Sequence, residues 1–299
     1  MSNRIVEFLL NKEKVSHTER GLRLRAYFTH RLAPYSIIDD KTFLKYMFYQ
    51  TFNYELNFKN LRTFNEKLQW LKLFDRKPYY TQLADKFAVR KNVSEKVGSE
   101  YLNNLIGVYK NADDIKWQSL PNKFILKTTH ASGWNIICTD KEKLDIQDAS
   151  ERLNYWLSKN FYKNTRSREW QYKGIEPQII CEEYLNGDDI LGLIDYKFYC
   201  FLGEPKFLTA GINRFRQHTL SFYDNFWNKQ EFFKKNIKPH DQYQKPENFD
   251  EMLFLAKELS QNIPFCRVDF YNFNRRVIFG EITFFPGGGF SPFPQQSTI

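Results

Sequence analysis

Residues 267–290 read RVDFYNFNRRVIFGEITFFPGGGF, and they place two acids, Asp269 and Glu281, twelve positions apart. Each acid sits in the middle of an apolar, aromatic run of the kind that forms a buried strand. The short NRR step between the runs predicts a hairpin, and a hairpin brings both carboxylates onto one face. A buried carboxylate without a counter-charge is costly, so something positive has to lie between them. A divalent metal on hard oxygen ligands meets that need, with Thr283, two residues after Glu281 and on the same face, as a third oxygen. Arg267, two residues before Asp269 and on that face too, offers the other solution, an internal ion pair.

The remaining sequence bounds what such a site can serve. With 299 residues, 42% of them hydrophobic, the chain has ample material for one large domain or two ordinary ones. Its formal charge of +9 favours anionic partners, whether nucleotide, nucleic acid, acidic sugar or membrane surface, without choosing among them. Cys138, Cys181, Cys200 and Cys266 are far apart, each in an apolar run, with no CxxC or Cys/His pairing. Buried, reduced thiols are the expectation, not zinc ligands or disulfides. No apolar stretch approaches the roughly 20 residues that cross a membrane. Ile5–Leu10 is short and carries Glu7, unlike a secretory core, so a cytoplasmic location is expected. Phe and Tyr are spread along the whole chain and read as core filling, although their interleaving with Lys keeps RNA binding as a competing reading.

Along the chain, residues 1–60 are basic and aromatic, densest at RGLRLRAYFTHR (residues 20–31), and short helices are expected there. Thr63-Phe64-Asn65-Glu66 has the spacing of a capping box, and Phe64, Leu68 and Leu71 follow at helical spacing. A second helix is predicted over Tyr79–Lys96. Strand signals follow: KFILK and NIICT flank the small-residue loop TTHASGW. Asp145 and Asp148 open a helix through Leu153, Trp156 and Leu157. QIICEEYL reads as a strand ending in a turn at NGDD. DYKFYCFLG and EPKFLTAG read as strands joined at Gly203-Glu204. Asn248 and Glu251 are placed to cap a helix with the stripe Phe249, Met252, Leu253, Ala256 and Leu259. Lys127 closes an apolar strand and leads into a loop whose amides could surround a phosphate. IICEEYL runs an apolar strand into two acids, as suits a base and ribose site.

The order of these motifs resembles the ATP-grasp superfamily. TFNEKLQWLKLFDR, LADKFAVR, FILKTTHASG, DYKFYCFLGEPKF and FGEITFFPGGGF are similar, more narrowly, to its TupA-like branch, named for teichuronopeptide biosynthesis, over about residues 60–295. Many members of that branch are filed as polysaccharide-biosynthesis glycosyltransferases. The resemblance implies an α+β ATP-grasp fold, two subdomains with mainly antiparallel sheets clasping a nucleotide behind a helical N-terminal region. The expected divisions are 1–100, 101–184 for the lid and 185–299 for the core. ATP and Mg²⁺ are the implied cofactors. Lys127 and Lys197 would touch phosphates, and the loop 128–134, with Thr129, Ser132 and Gly133, would cover them. Glu182, Glu183, Tyr184 and Leu185 would hold adenine, and Asp188 or Asp189 the ribose. Asp269 and Glu281 match the paired metal ligands, Thr283 stands where the superfamily usually has Asn, and Arg267 matches the residue that steadies an acyl phosphate.

The function so implied is an ATP-dependent carboxylate–amine ligase working through an acyl phosphate. It would join an amino acid or amine to a uronic-acid carboxylate of a capsule, O-antigen or other cell-surface polysaccharide precursor. The alternative is a nucleotide-sugar glycosyltransferase, a class that often carries a DxD metal motif; the acidic pairs at 113–114 and 188–189 lie in turns and read as caps or ribose contacts. Nucleic acid is not an expected partner, and membrane contact is expected to be peripheral at most, through the basic N-terminal run at the inner face.

Overall fold

The computed structural model describes residues 38–186, 193–212, 219–231, 237–239 and 243–292. Asp188, Asp189 and the basic run at 20–31 lie outside them. The chain forms two compact units: Met1–Pro78 with Lys159–Gly174 and Phe285–Pro292, and Tyr79–Ser158 with Ile175–Phe284 and Phe293–Ile299.

In the first unit, helix α1 (Asp40–Phe52) starts where the Asp39 carboxylate accepts the Thr42 amide at 3.0 Å. Helix α2 (Phe64–Phe74) opens with the capping box that the spacing predicts: Thr63 Oγ1 accepts the Glu66 amide, and Glu66 Oε2 accepts the Thr63 amide at 2.7 Å. A polar stripe on α2 then turns inward. Asn65 donates to the carbonyls of Gly289 and Ser291, both at 2.9 Å, and Gln69 to Gly289 at 2.9 Å. Lys72, fully buried, donates to Gly288 O at 2.6 Å and Ser167 O at 2.7 Å, with the rings of Phe285 and Phe290 beside it. Burial pushes its ammonium down to about 7 against the pull of Glu169 and Asp40. The glycines of FPGGG thus leave their carbonyls open to one helix. Gly289 has φ +71, and a Cβ there would lie 2.5 Å from Gln69 Nε2.

The second unit begins with α3 (Tyr79–Ala84) and α4 (Ala88–Lys96). The single helix predicted over Tyr79–Lys96 is broken because Asp85 Oδ1 accepts the amides of Phe87 at 2.8 Å and Ala88 at 3.2 Å, restarting the helix. The first sheet comprises β1 (Leu105–Tyr109), β2 (Phe124–Thr128), β3 (Asn135–Cys138) and β4 (Ile179–Glu183), antiparallel in the order β1-β4-β2-β3. Phe124, Leu126, Ile136, Cys138, Ile179 and Cys181 line the face that packs with Ala149 and Leu153 of α5 (Ile146–Leu157). Asp145 caps α5 by accepting the Asp148 amide at 2.9 Å. The opposite face carries Ile125, Lys127, Ile137, Ile180 and Glu182.

The second sheet comprises β5 (Asp195–Phe201), β6 (Glu204–Ile212), β7 (Thr219–Asp224), β8 (Phe265–Phe273) and β9 (Arg276–Thr283), antiparallel in the order β7-β6-β5-β8-β9. Helix α6 (Phe249–Leu259) covers one face through Phe249, Met252, Leu255, Ala256 and Leu259. Leu255, and not Leu253, completes that stripe. Asn248 makes no side-chain cap; its Oδ1 instead accepts from Asn272 Nδ2 at 2.8 Å. The β5–β6 and β8–β9 hairpins use two-residue turns with positive φ, Leu202-Gly203 and Asn274-Arg275, so the first of these turns falls one residue earlier than the sequence predicts. All four cysteines are free and buried. Among the described residues no helix is long and apolar enough to cross a membrane.

Candidate active site

On the face of the second sheet opposite α6, β5, β8 and β9 bring the opening acids together. Asp269 is paired in register with Glu281 on one side and with Lys197 on the other, while Arg267 faces Thr283 and Tyr199. The ladder slips directly after Asp269, opposite Gly280, where an added Cβ would stand 3.1 Å from Asp269 O. A side chain there would require the Asp269 carbonyl to give by a few tenths of an ångström, and the slip keeps Glu281 and Thr283 on the face of Asp269.

The cation between the two acids is Arg267. Its Nε and Nη2 donate to Asp269 Oδ1 and Oδ2, both at 2.6 Å, and Nη2 reaches Glu281 Oε1 at 3.2 Å and Thr283 Oγ1 at 3.1 Å. Lys197 adds a second cation, donating to Asp269 Oδ2 at 2.9 Å and to Asp195 Oδ2. Burial pushes the Asp269 carboxyl up, but Arg267 and Lys197 outweigh it and hold the group below its usual value. Asp269 is 2% exposed, whereas the Glu281 side chain is 39% exposed. Asp269, Glu281 and Thr283 therefore form one group of hard oxygens, open to solvent at Glu281, whose chemistry suits Mg²⁺. Among the described residues no three His, Cys, Asp or Glu side chains are grouped so as to hold a metal, and the further side-chain oxygen beside this pair is the Thr283 hydroxyl, which donates to Glu281 Oε1 at 2.9 Å.

The first sheet supplies a second charged group. Lys127 Nζ donates to Glu182 Oε2 at 2.7 Å, and Arg90 of α4 donates to Glu182 Oε1 at 2.8 Å. Glu182 and Glu183 point to opposite faces: Glu182 is buried and Glu183 exposed. Tyr184 and Leu185 follow, half-buried. In the loop 128–134, Thr129 is buried; its hydroxyl donates to Glu176 O at 3.1 Å and accepts the Gln178 amide at 3.0 Å. Ser132 and Gly133 are exposed at the tip. Of the acidic pairs weighed for a glycosyltransferase, Asp114 lies in a capped turn, its amide bonded to Asn111 Oδ1 at 3.0 Å.

Sequence reasoning passed over Lys86 and Arg90, although both lie in the quoted LADKFAVR. Lys86 occupies the break between α3 and α4, where its ammonium donates to Ala131 O in the loop. Burial pushes it down to about 8, while Glu281 of the second sheet and Glu182 of the first pull it back up and Lys127 lowers it further. Lys86 is therefore in electrostatic reach of both charged groups. The sequence signal was Asp85 directly before it, a helix-starting residue inside a predicted helix.

A family model described as TupA-like ATPgrasp matches residues 66–298. No curated protein matches the sequence. Among solved structures, the D-alanine–D-alanine ligase of Helicobacter pylori is 14% identical with a TM-score of 0.40, covering 75% of this chain and 63% of that one. The D-alanine–D-alanine ligase of Bacillus anthracis complexed with ATP is 12% identical, TM-score 0.38, covering 67% and 53%. The N5-carboxyaminoimidazole synthetase of Staphylococcus aureus is 14% identical, TM-score 0.36, covering 68% and 44%. The chain thus spans less than two thirds of the length of each of these three.

Proposed function

Because the chain belongs to the TupA-like ATP-grasp family, we propose that it is an ATP-dependent carboxylate–amine ligase. ATP-grasp enzymes use ATP and Mg²⁺. The observation that carries the reading is the convergence of Asp269, Glu281, Thr283, Arg267 and Lys197 on one sheet face, with Lys86 in electrostatic reach of both Glu281 and Lys127.

In this reading Lys86, Lys127 and Lys197 take the ATP phosphates. Ser132 and Gly133 present backbone at the loop tip, and Thr129 fixes the loop from below. Ile125, Ile137 and Ile180, on the face of Lys127, form an apolar wall for adenine, with the backbone of Glu183, Tyr184 and Leu185 at its polar edge and Asp188 or Asp189 at the ribose. Asp269, Glu281 and Thr283 would hold Mg²⁺, which when bound offsets phosphate charge. An oxygen of the substrate carboxylate attacks the γ-phosphorus and ADP leaves, giving an acyl phosphate. The amine nitrogen then attacks the acyl carbon, loses a proton and expels phosphate. Arg267 donates to the oxyanion formed in that second step; removing one such donor typically costs about 10²–10³ in rate.

The proposed carboxylate is that of a uronic acid in a cell-surface polysaccharide precursor, and the proposed amine an amino acid or similar compound. The +9 charge supports an acidic substrate, and the family's name supports the pathway. The test is release of ADP and phosphate from ATP over a matrix of uronic acids and amino acids, with amide formation followed by mass spectrometry. ADP release that depends on both partners supports the ligase; release of nucleotide from a sugar nucleotide in the absence of ATP contradicts it.

A further inference from the structure

Glu182 is 6% exposed, and each of its carboxylate oxygens has a cation of its own, Arg90 on Oε1 and Lys127 on Oε2. We propose that Arg90 is a positioning residue for Lys127, acting through Glu182: it neutralises the buried carboxylate so that Lys127 is free to turn its charge to a phosphate. The proposal rests on the ligase reading and extends it to a residue that touches no substrate.

The geometry of the cluster makes the two cations unequal. Arg90 is held at both ends of its fork, Nη1 on Glu182 and Nη2 on Asn103 O at 2.7 Å. Asn103 in turn donates its Nδ2 to Glu183 O at 2.9 Å, so the guanidinium is tied to the strand that carries Glu182. Lys127 has its ammonium on one carboxylate oxygen, with a side chain 23% exposed against 16% for Arg90. Arg90 is the fixed partner and Lys127 the releasable one.

Charge counting gives the consequence. Two cations on one anion leave the cluster with a net positive charge, and a phosphate that draws Lys127 away leaves Glu182 still paired with Arg90. Without Arg90 the buried carboxylate would have Lys127 alone, and a phosphate could recruit Lys127 only by orphaning Glu182, a costly step. Removing Arg90 therefore weakens phosphate binding specifically, and removing the Glu182 charge as well restores it.

The test measures MgATP, MgADP and adenosine binding by calorimetry and competition on the wild type, Arg90→Gln, Glu182→Gln and the double variant. Arg90→Gln is expected to weaken MgATP and MgADP by about tenfold, equivalent to roughly 1.4 kcal/mol, and to leave adenosine unchanged. The double variant should match Glu182→Gln within about twofold, because with no buried carboxylate Arg90 has nothing left to neutralise; a coupling of about tenfold lies within the usual range for contacting residues. The double variant contains no unpaired buried carboxylate, so this comparison holds even where Arg90→Gln fails to fold. Adenosine weakened as much as MgATP, unchanged MgATP affinity in Arg90→Gln, or a double variant weaker than Glu182→Gln overturns the positioning role while wild-type MgATP binding leaves the ligase reading standing. A wild type that binds no MgATP overturns both.

Discussion

Asp269→Asn should destabilise the ligand-free protein strongly. Asp269 is 2% exposed and accepts three charged hydrogen bonds, two from Arg267 at 2.6 Å and one from Lys197 at 2.9 Å. Asparagine keeps the shape but replaces one acceptor oxygen with a donor, so at least one Arg267 contact becomes donor against donor. Removing one partner of a buried ion pair costs about 3–5 kcal/mol. Glu281 at 3.2 Å and Asp195 still face the two cations, which places the expected loss near the lower end, about 3 kcal/mol. Urea unfolding at pH 7 and 25 °C, followed by both tryptophan fluorescence and circular dichroism, measures it. Because the folded carboxyl titrates below its ordinary value of 3.8, its stabilisation is present above that value and is lost as pH falls through the folded pKa. The gap between wild type and variant should then stay level from about pH 5 to 8 and narrow below about pH 4. A variant within about 0.5 kcal/mol of wild type, the usual range for neutral surface changes, refutes the reasoning; so does a gap that persists unchanged to pH 3.

Two further outcomes follow from the same geometry. Gly289→Ala forces a side chain into φ +71 with its Cβ 2.5 Å from Gln69 Nε2, which disrupts the clamp of α2 on the glycine carbonyls. Thermal and urea unfolding should show a loss of about 2 kcal/mol, from left-handed strain plus one hydrogen bond, whereas an unchanged midpoint would mean that the clamp does not hold. The Lys86 ammonium, pushed down to about 8 by burial, is charged below that pH and neutral above it. Wild-type MgATP affinity should therefore be level up to about pH 7.5 and fall by up to about tenfold per unit above pH 8. Lys86→Arg should flatten that limb, and a wild-type profile without the fall removes Lys86 from the phosphate site.

What the sequence made legible was whatever depends on local spacing. The period-two alternation of RVDF and GEIT set Asp269, Glu281 and Thr283 on one face, and β8 and β9 pair in that register. Thr63 and Glu66 marked the start of α2, as observed. The errors share a cause, competition between local signals and tertiary partners. Asn248 had capping spacing, but Asn272 across the sheet claims its side chain. Asp85 starts a helix within what reads as a continuous helical pattern, and the kink that results is what sets Lys86 apart. The cation between the acids posed a different difficulty. Metal and Arg267 were both compatible with the pattern, and only the geometry places the guanidinium on Asp269, Glu281 and Thr283 together. Arg90 was invisible for a third reason: its partner Glu182 lies 92 residues away, beyond any local pattern.

Glu281 is the residue through which the MgATP claim is tested most directly, because its side chain is 39% exposed and its loss opens no buried charge, unlike that of Asp269. Calorimetric titration of ATP with Mg²⁺ and with EDTA, on wild type and Glu281→Gln, reads the site without knowledge of either substrate. Wild type should bind ATP tightly only with Mg²⁺, and Glu281→Gln should lose at least about tenfold of that affinity, or about 1.4 kcal/mol, with its urea midpoint unchanged. Equal MgATP affinity in both proteins, or binding of a sugar nucleotide with no response to ATP, would contradict the assignment of Asp269, Glu281 and Thr283 to a nucleotide-bound metal.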